Sequence, residues 1–113
     1  MENIIYNQLL MLGFNVDVGI VEVYEKQENK YIKKQLEVDF IINKGNLKYY
    51  IQSVYHMETK EKQVQEKRPL LNIDDSFKKI IIINDSFKAH YDDNGFFLIN
   101  LEEFLLDLDI LNK

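Results

Sequence analysis

Residues 78–83 read Lys-Lys-Ile-Ile-Ile-Ile. An aliphatic run through Lys79–Ile83 with no polar alternation marks a strand covered on both faces, and such strands belong to sheets flanked by helices. Its unbroken core, Ile80 to Ile83, is far shorter than the ~20 apolar residues that span a bilayer. The run therefore points to an α/β layered domain.

The neighbouring segments fit that frame. Ile5, Leu9 and Leu12 fall on one stripe, with Tyr6 and Leu10 beside it, which predicts a first helix over Glu2 to Leu12. Gly13 follows as its C-terminal stop. Val16, Val18 and Ile20 alternate with Asp17, Gly19 and Val21, so a strand is expected there. The polar stretch Glu25 to Lys30 reads as a hairpin loop. A second strand places Leu36, Val38 and Phe40 on one face and Glu37, Asp39 and Ile41 on the other. Asn43 to Asn46, with Gly45, is a turn, and Tyr49 to Val54 a third strand. Residues 16–54 are thus expected to form an antiparallel meander.

Thr59 to Lys67 is charged and predicts an exposed helix, which Pro69 should kink or end, or after which it should open a second short turn containing Leu70, Leu71 and Ile73. Asn94-Gly95 signals a tight turn before a fifth strand, Phe96 to Ile99. Asn100 is suited to cap a last helix, with Glu102 and Glu103 in its first turn and Leu101, Phe104, Leu105 and Leu108 as its buried stripe. The order helix, three strands, helix, two strands, helix argues for one mixed sheet flanked by helices.

At 113 residues, 46% of them hydrophobic, the chain supports a single domain, residues 1–113, with its own core. It has no cysteine, which excludes disulfides and thiolate metal sites. No basic start leads into an apolar segment, so no secretory signal is read, and the expected location is the cytoplasm. The net charge of −5 weighs against non-specific attraction to a phosphate backbone. Lys33–Lys34, Lys67–Arg68 and Lys78–Lys79 are short basic pairs with acids nearby, and solvated element edges explain them most simply.

The chemistry concentrates in Glu-Val-Asp-Phe at 37–40 and Tyr-Tyr-Ile-Gln-Ser-Val at 49–54. In a meander, Asp39 and Gln52 fall on adjacent strands, and Glu2 on the preceding helix can join them. A carboxylate on one strand beside a carboxylate or amide on the next is the layout of a metal-dependent nuclease centre. Mg²⁺ takes oxygen ligands, usually one or two carboxylates with waters and substrate phosphate, and activates water for phosphodiester cleavage. Mn²⁺ is the other candidate ion. The lysine expected two residues after the second ligand is replaced by Val54, and the substitute within reach is Lys67, or Arg68, on the following helix. An Asp flanked by apolar neighbours equally well faces water with no function. His56 and His90 are too few for a histidine metal site. Ser53 lacks a Gly-x-Ser-x-Gly elbow, and Lys44-Gly45-Asn46 is no phosphate loop. Tyr49, Tyr50 and Tyr55 fit cross-strand packing better than base stacking.

Five segments carry a resemblance: Glu-Asn-Ile-Ile-Tyr-Asn at 2–7, Asn-Val-Asp-Val-Gly at 15–19, Lys-Gln-Leu-Glu-Val-Asp-Phe at 34–40, Tyr-Tyr-Ile-Gln-Ser at 49–53, and Arg-Pro-Leu-Leu-Asn-Ile-Asp-Asp-Ser-Phe-Lys-Lys-Ile at 68–80. Over essentially its whole length the chain resembles a C-terminal domain of bacterial and archaeal AAA-type ATPases, one related to the PD-(D/E)xK restriction-endonuclease-like fold. The resemblance implies a helix–three strands–helix–strand core. It matches Glu2 to the acidic residue of the first helix, Asp39 to the metal-binding aspartate and Gln52 to the Glu or Gln of the motif. Val54 departs from the motif lysine, which leaves the catalytic set incomplete. The resemblance further implies an ATPase module preceding Glu2 as the partner, with Met1 a truncated or engineered start.

Three functions follow as expectations. The first is a catalytically degenerate nuclease-fold module serving its ATPase in protein interaction or in recognition of DNA or another substrate. The second is an active Mg²⁺- or Mn²⁺-dependent DNA endonuclease using Glu2, Asp39 and Gln52 with Lys67. The third is a homodimerisation domain whose interface is the last helix, 101–111.

Overall fold

The computed structural model describes residues 1–56 and 59–113. The elements are α1 (Glu2–Met11), β1 (Asn15–Gln27), β2 (Lys30–Lys44), β3 (Leu47–Val54), α2 (Lys60–Leu71), β4 (Lys78–Ile83), β5 (His90–Tyr91), β6 (Phe97–Asn100) and α3 (Leu101–Leu106), ending in a short 3-10 turn, Ile110–Asn112. One six-stranded sheet has the order β1-β2-β3-β4-β6-β5. β1, β2 and β3 form the expected antiparallel meander. β3, β4 and β6 run parallel, and β5 closes the far edge antiparallel to β6.

The isoleucine run works on both faces. Ile80 and Ile82 join a core with Ile5 and Leu9 of α1, Ile51, Ile99 and Phe104 of α3. Ile81 and Ile83 join a second core with Val38, Tyr50, Val54, Leu98 and Leu70 of α2. The sheet is therefore the middle of three layers, with α1 and α3 on one face and α2 on the other. Among the described residues no helix is long and apolar enough to cross a membrane.

Four local expectations need correction. The polar stretch 25–30 is not a loop: β1 and β2 pair out to Gln27↔Lys30, and only Glu28 and Asn29 turn. Both take positive φ, 47° and 70°, the geometry of the two-residue turn that matches strand twist. Pro69 does not stop α2, which runs on to Leu71. Pro69 and Leu70 are buried, so packing outweighs the missing N–H only two residues from the helix end. A two-residue strand, His90–Tyr91, adds a sixth member that no periodicity could signal. Leu108 lies beyond α3 and is exposed, while Ile110 and Leu111 fill the core instead. Asn100 does cap α3, its Oδ1 accepting from the Glu103 N–H at 2.7 Å, and Thr59 caps α2 through Lys62 N–H at 3.1 Å.

The feature that shapes the candidate site is a β-bulge. The β1–β2 register passes from Asp17↔Ile41 to Gly19↔Val38, so Asp39 and Phe40 together face Val18. An extra residue on one strand reverses the alternation beyond it. Val38 consequently points to the α2 core, whereas Phe40 and Ile42 point to the α1 core; the single face expected for Leu36, Val38 and Phe40 does not exist. Gly19 sits opposite the bulge because a Cβ there would lie 2.5 Å from Ile41 Cδ1 and 3.2 Å from Val38 Cβ.

Candidate functional site

The β2–β3 ladder ends at Phe40↔Ile51. Past that point the strands separate, and their main-chain groups need other partners. Side chains supply them reciprocally. Gln52 Oε1 accepts from the Asp39 N–H at 2.9 Å, and Asp39 Oδ2 accepts from the Ser53 N–H at 2.8 Å. Gln52 Nε2 also approaches the carbonyls of Glu37 on β2, at 3.5 Å, and Glu66 on α2, at 3.4 Å. Gln52 is the one buried polar side chain among the described residues, 5% exposed. A buried amide with both ends engaged is what stability requires.

Asp39, Ser53 and Glu2 form a second line of contacts. The Ser53 hydroxyl donates to Asp39 Oδ2 at 2.8 Å. It has a single proton, so Glu2 Oε1, 3.5 Å from the same hydroxyl, is a neighbour rather than a second acceptor. The structure thus links Asp39 directly to Gln52, which lies on the α2 side of the sheet, and through Ser53 to Glu2, which lies on the α1 side. It gives Gln52 a different attachment: its amide oxygen is held by a backbone N–H.

Sequence reasoning missed Glu66. Burial pushes its carboxyl pKa up, and the nearby Asp39 charge pushes it further. No strand alternation pointed to this residue, since it arrives on α2 from the opposite layer. The raised pKa has a thermodynamic sign. A carboxyl whose folded pKa lies above its unfolded value penalises the native state above that folded pKa, and the penalty disappears as pH falls below the ordinary carboxylate range. Glu66→Gln should therefore melt higher than the parent at pH 7. The difference should shrink toward zero on acidification, read by thermal denaturation between pH 7 and pH 4. A variant equal to the parent at every pH would mean that neither burial nor Asp39 strains the Glu66 carboxylate.

Lys67 does not approach this cluster. Its Nζ lies 2.7 Å from Asp92 Oδ2, with both side chains largely buried. Asp92 in turn organises the turn before β6, its Oδ1 accepting from the Asn94 and Phe96 N–H groups, each at 2.9 Å. Arg68 is paired with Glu25, which also takes Lys34 at 2.8 Å. The Lys34 and Arg68 hydrogen bonds hold the Glu25 carboxyl below its usual pKa.

The donor set does not fit a ready-made divalent-cation site. Among the described residues no group of three or more histidine, aspartate or glutamate side chains is placed to hold a metal ion. Gln52 Oε1 has one lone pair committed to the Asp39 N–H and lies on a side chain that is 5% exposed.

No family model matches the chain. An uncharacterized protein of Haemophilus influenzae is similar to it, 34% identical over 82 residues. That stretch is 73% of this chain and 17% of the Haemophilus protein, so the chain spans about a sixth of that relative's length.

Proposed function

We propose that the chain is a restriction-endonuclease-like module with an incomplete catalytic centre, serving an AAA-type ATPase as an interaction or substrate-recognition domain. The observation that carries this reading is the splice between β2 and β3. Asp39 and Gln52, which the resemblance matches to metal-ligand positions, hydrogen-bond to each other's strand in place of the ladder. Lys67, the candidate for the missing lysine, is tied to Asp92. The candidate catalytic residues are thereby engaged in holding the fold together. The similarity to one short stretch of a longer protein supports a module within a larger chain. The competing reading, an active Mg²⁺- or Mn²⁺-dependent endonuclease, draws on the two carboxylates of Asp39 and Glu66, whose mutual repulsion a cation would relieve.

Incubation with supercoiled, single-stranded and branched DNA in Mg²⁺ or Mn²⁺, beside Asp39→Asn, separates the two. The expected result is no cutting above the variant's background and no metal-induced rise in melting temperature. Cutting that disappears in Asp39→Asn, together with a thermal shift from Mn²⁺, would overturn the degenerate reading.

A further inference from the structure

β1 is the edge strand of the sheet and is 13 residues long. From Gly19 and Val38 outward, β1 and β2 continue as a two-stranded arm beyond the end of the β2–β3 ladder. The two faces of this arm differ. One carries Val38 and Val21, packed on the α2 side, with the buried Val23 next on the same alternation. The other carries Val18, Ile20, Tyr24 and Tyr31, exposed by 63%, 63%, 67% and 72%. At those exposures the four side chains present roughly 500 Å² of mostly apolar surface, the size at which patches on a monomer usually serve a function. The edge carries few of the usual blocks to pairing: β1 has no proline, its only lysine, Lys26, stands near the tip, and the extra residue of the bulge is on β2, which leaves Asp17, Glu22 and Glu25 as the charges a partner must avoid.

We propose that this edge pairs with a second copy of the chain, β1 against β1 antiparallel about a two-fold axis, joining two six-stranded sheets into one. A two-fold perpendicular to the sheet keeps each face on its own side, so partners share parity and their numbers have a constant sum. Charge selects among the registers. An axis at Val21 sets Asp17 opposite Glu25, and one at Glu22 sets Glu22 against itself; like charges directly opposed are destabilising. An axis at Val23 leaves Val16 and Val18 without strand partners. An axis at Ile20 avoids all of these, since its partner numbers sum to 40. Ile20 meets Ile20, Val18 meets Glu22, Asp17 meets Val23, and the second copy's Tyr24 lies beside Val16, which packs toward α1. Cross-strand cover of Val18, Ile20 and Tyr24 by their partners, together with burial of the edge backbone, brings the contact toward the ~800 Å² per partner of a stable interface. Both copies carry net charge −5, so added salt strengthens this association.

The absence of cysteine from the chain permits a direct test. In the proposed register an Ile20→Cys side chain lies opposite its own copy, at a Cα separation of about 4.5–5.5 Å that a disulfide can bridge. Mild oxidation should convert Ile20→Cys to a covalent dimer at least ten times faster than Tyr31→Cys, an equally exposed control on the other strand. Light scattering of the unmodified chain should rise with concentration from 13.5 kDa toward twice that mass, and Ile20→Lys should hold it at the lower value without loss of melting temperature. A monomer at every concentration overturns the proposal and leaves the edge to a strand from another protein. A dimer that survives Ile20→Lys also overturns it and moves the interface elsewhere, for instance to exposed Leu106 and Leu108.

Discussion

Replacing Gln52 with alanine is expected to lower the melting temperature by about 10 °C, from a loss of about 2–3 kcal/mol. The amide occupies the gap where β2 and β3 part. Without it the Asp39 N–H loses its acceptor, the Glu37 and Glu66 carbonyls lose a donor, and a void opens between the sheet and α2. Gln52→Glu makes the chemistry of the position visible. One carboxylate oxygen keeps the Asp39 N–H, but the other faces two carbonyl oxygens with no proton to donate. That raises the carboxyl's folded pKa above its unfolded value. The variant should therefore be near-normal in acid and lose stability as pH rises through the ordinary carboxylate range toward the raised folded value. Were this position a metal ligand, the added carboxylate would instead give a larger thermal shift with Mn²⁺ than the parent shows. Thermal denaturation with and without Mn²⁺, from pH 4 to pH 8, distinguishes the outcomes.

Lys67→Met should cost about 3 kcal/mol, because it leaves a largely buried Asp92 carboxylate without its counter-charge. The damage should concentrate in the turn 92–96 and in the seating of α2 against it. Asp92 Oδ1 would still accept from Asn94 and Phe96, so the turn persists while its tie to the helix is lost. Combining Lys67→Met with Asp92→Asn removes the stranded charge and should recover part of the stability, giving the non-additivity of a coupled pair in urea titrations. A Lys67→Met variant of unchanged stability that abolished DNA cutting would identify a catalytic group instead.

The relation between sequence and site is clearest at the bulge. Alternation correctly placed Gln52 on the Tyr50 and Val54 face, because β3 is regular. It failed on β2, where the extra residue at Asp39–Phe40 splits Val38 from Phe40. The one local signal of the bulge was the isolated glycine opposite it, Gly19, since a glycine inside a strand often marks such a site, and the alternation read through it as an ordinary strand position. Glu66 escaped for a different reason. It lies 27 residues beyond Asp39 in sequence on a helix of the other layer, and nothing periodic links a helix position to a particular point on a strand.

The sequence by itself determined the layered α/β arrangement, since Ile80–Ile83 is buried between two helical layers, and it determined the cap at Asn100, which depends on a local hydrogen bond. It also placed Asp39 and Gln52 on neighbouring strands. What those side chains do there was decided by tertiary structure alone. The gap between β2 and β3 arises from strand divergence at the end of their ladder, and the unmet backbone groups in that gap capture Asp39 and Gln52. The Asp92 carboxylate likewise captures Lys67, because a buried charge takes the counter-charge that the fold brings nearest.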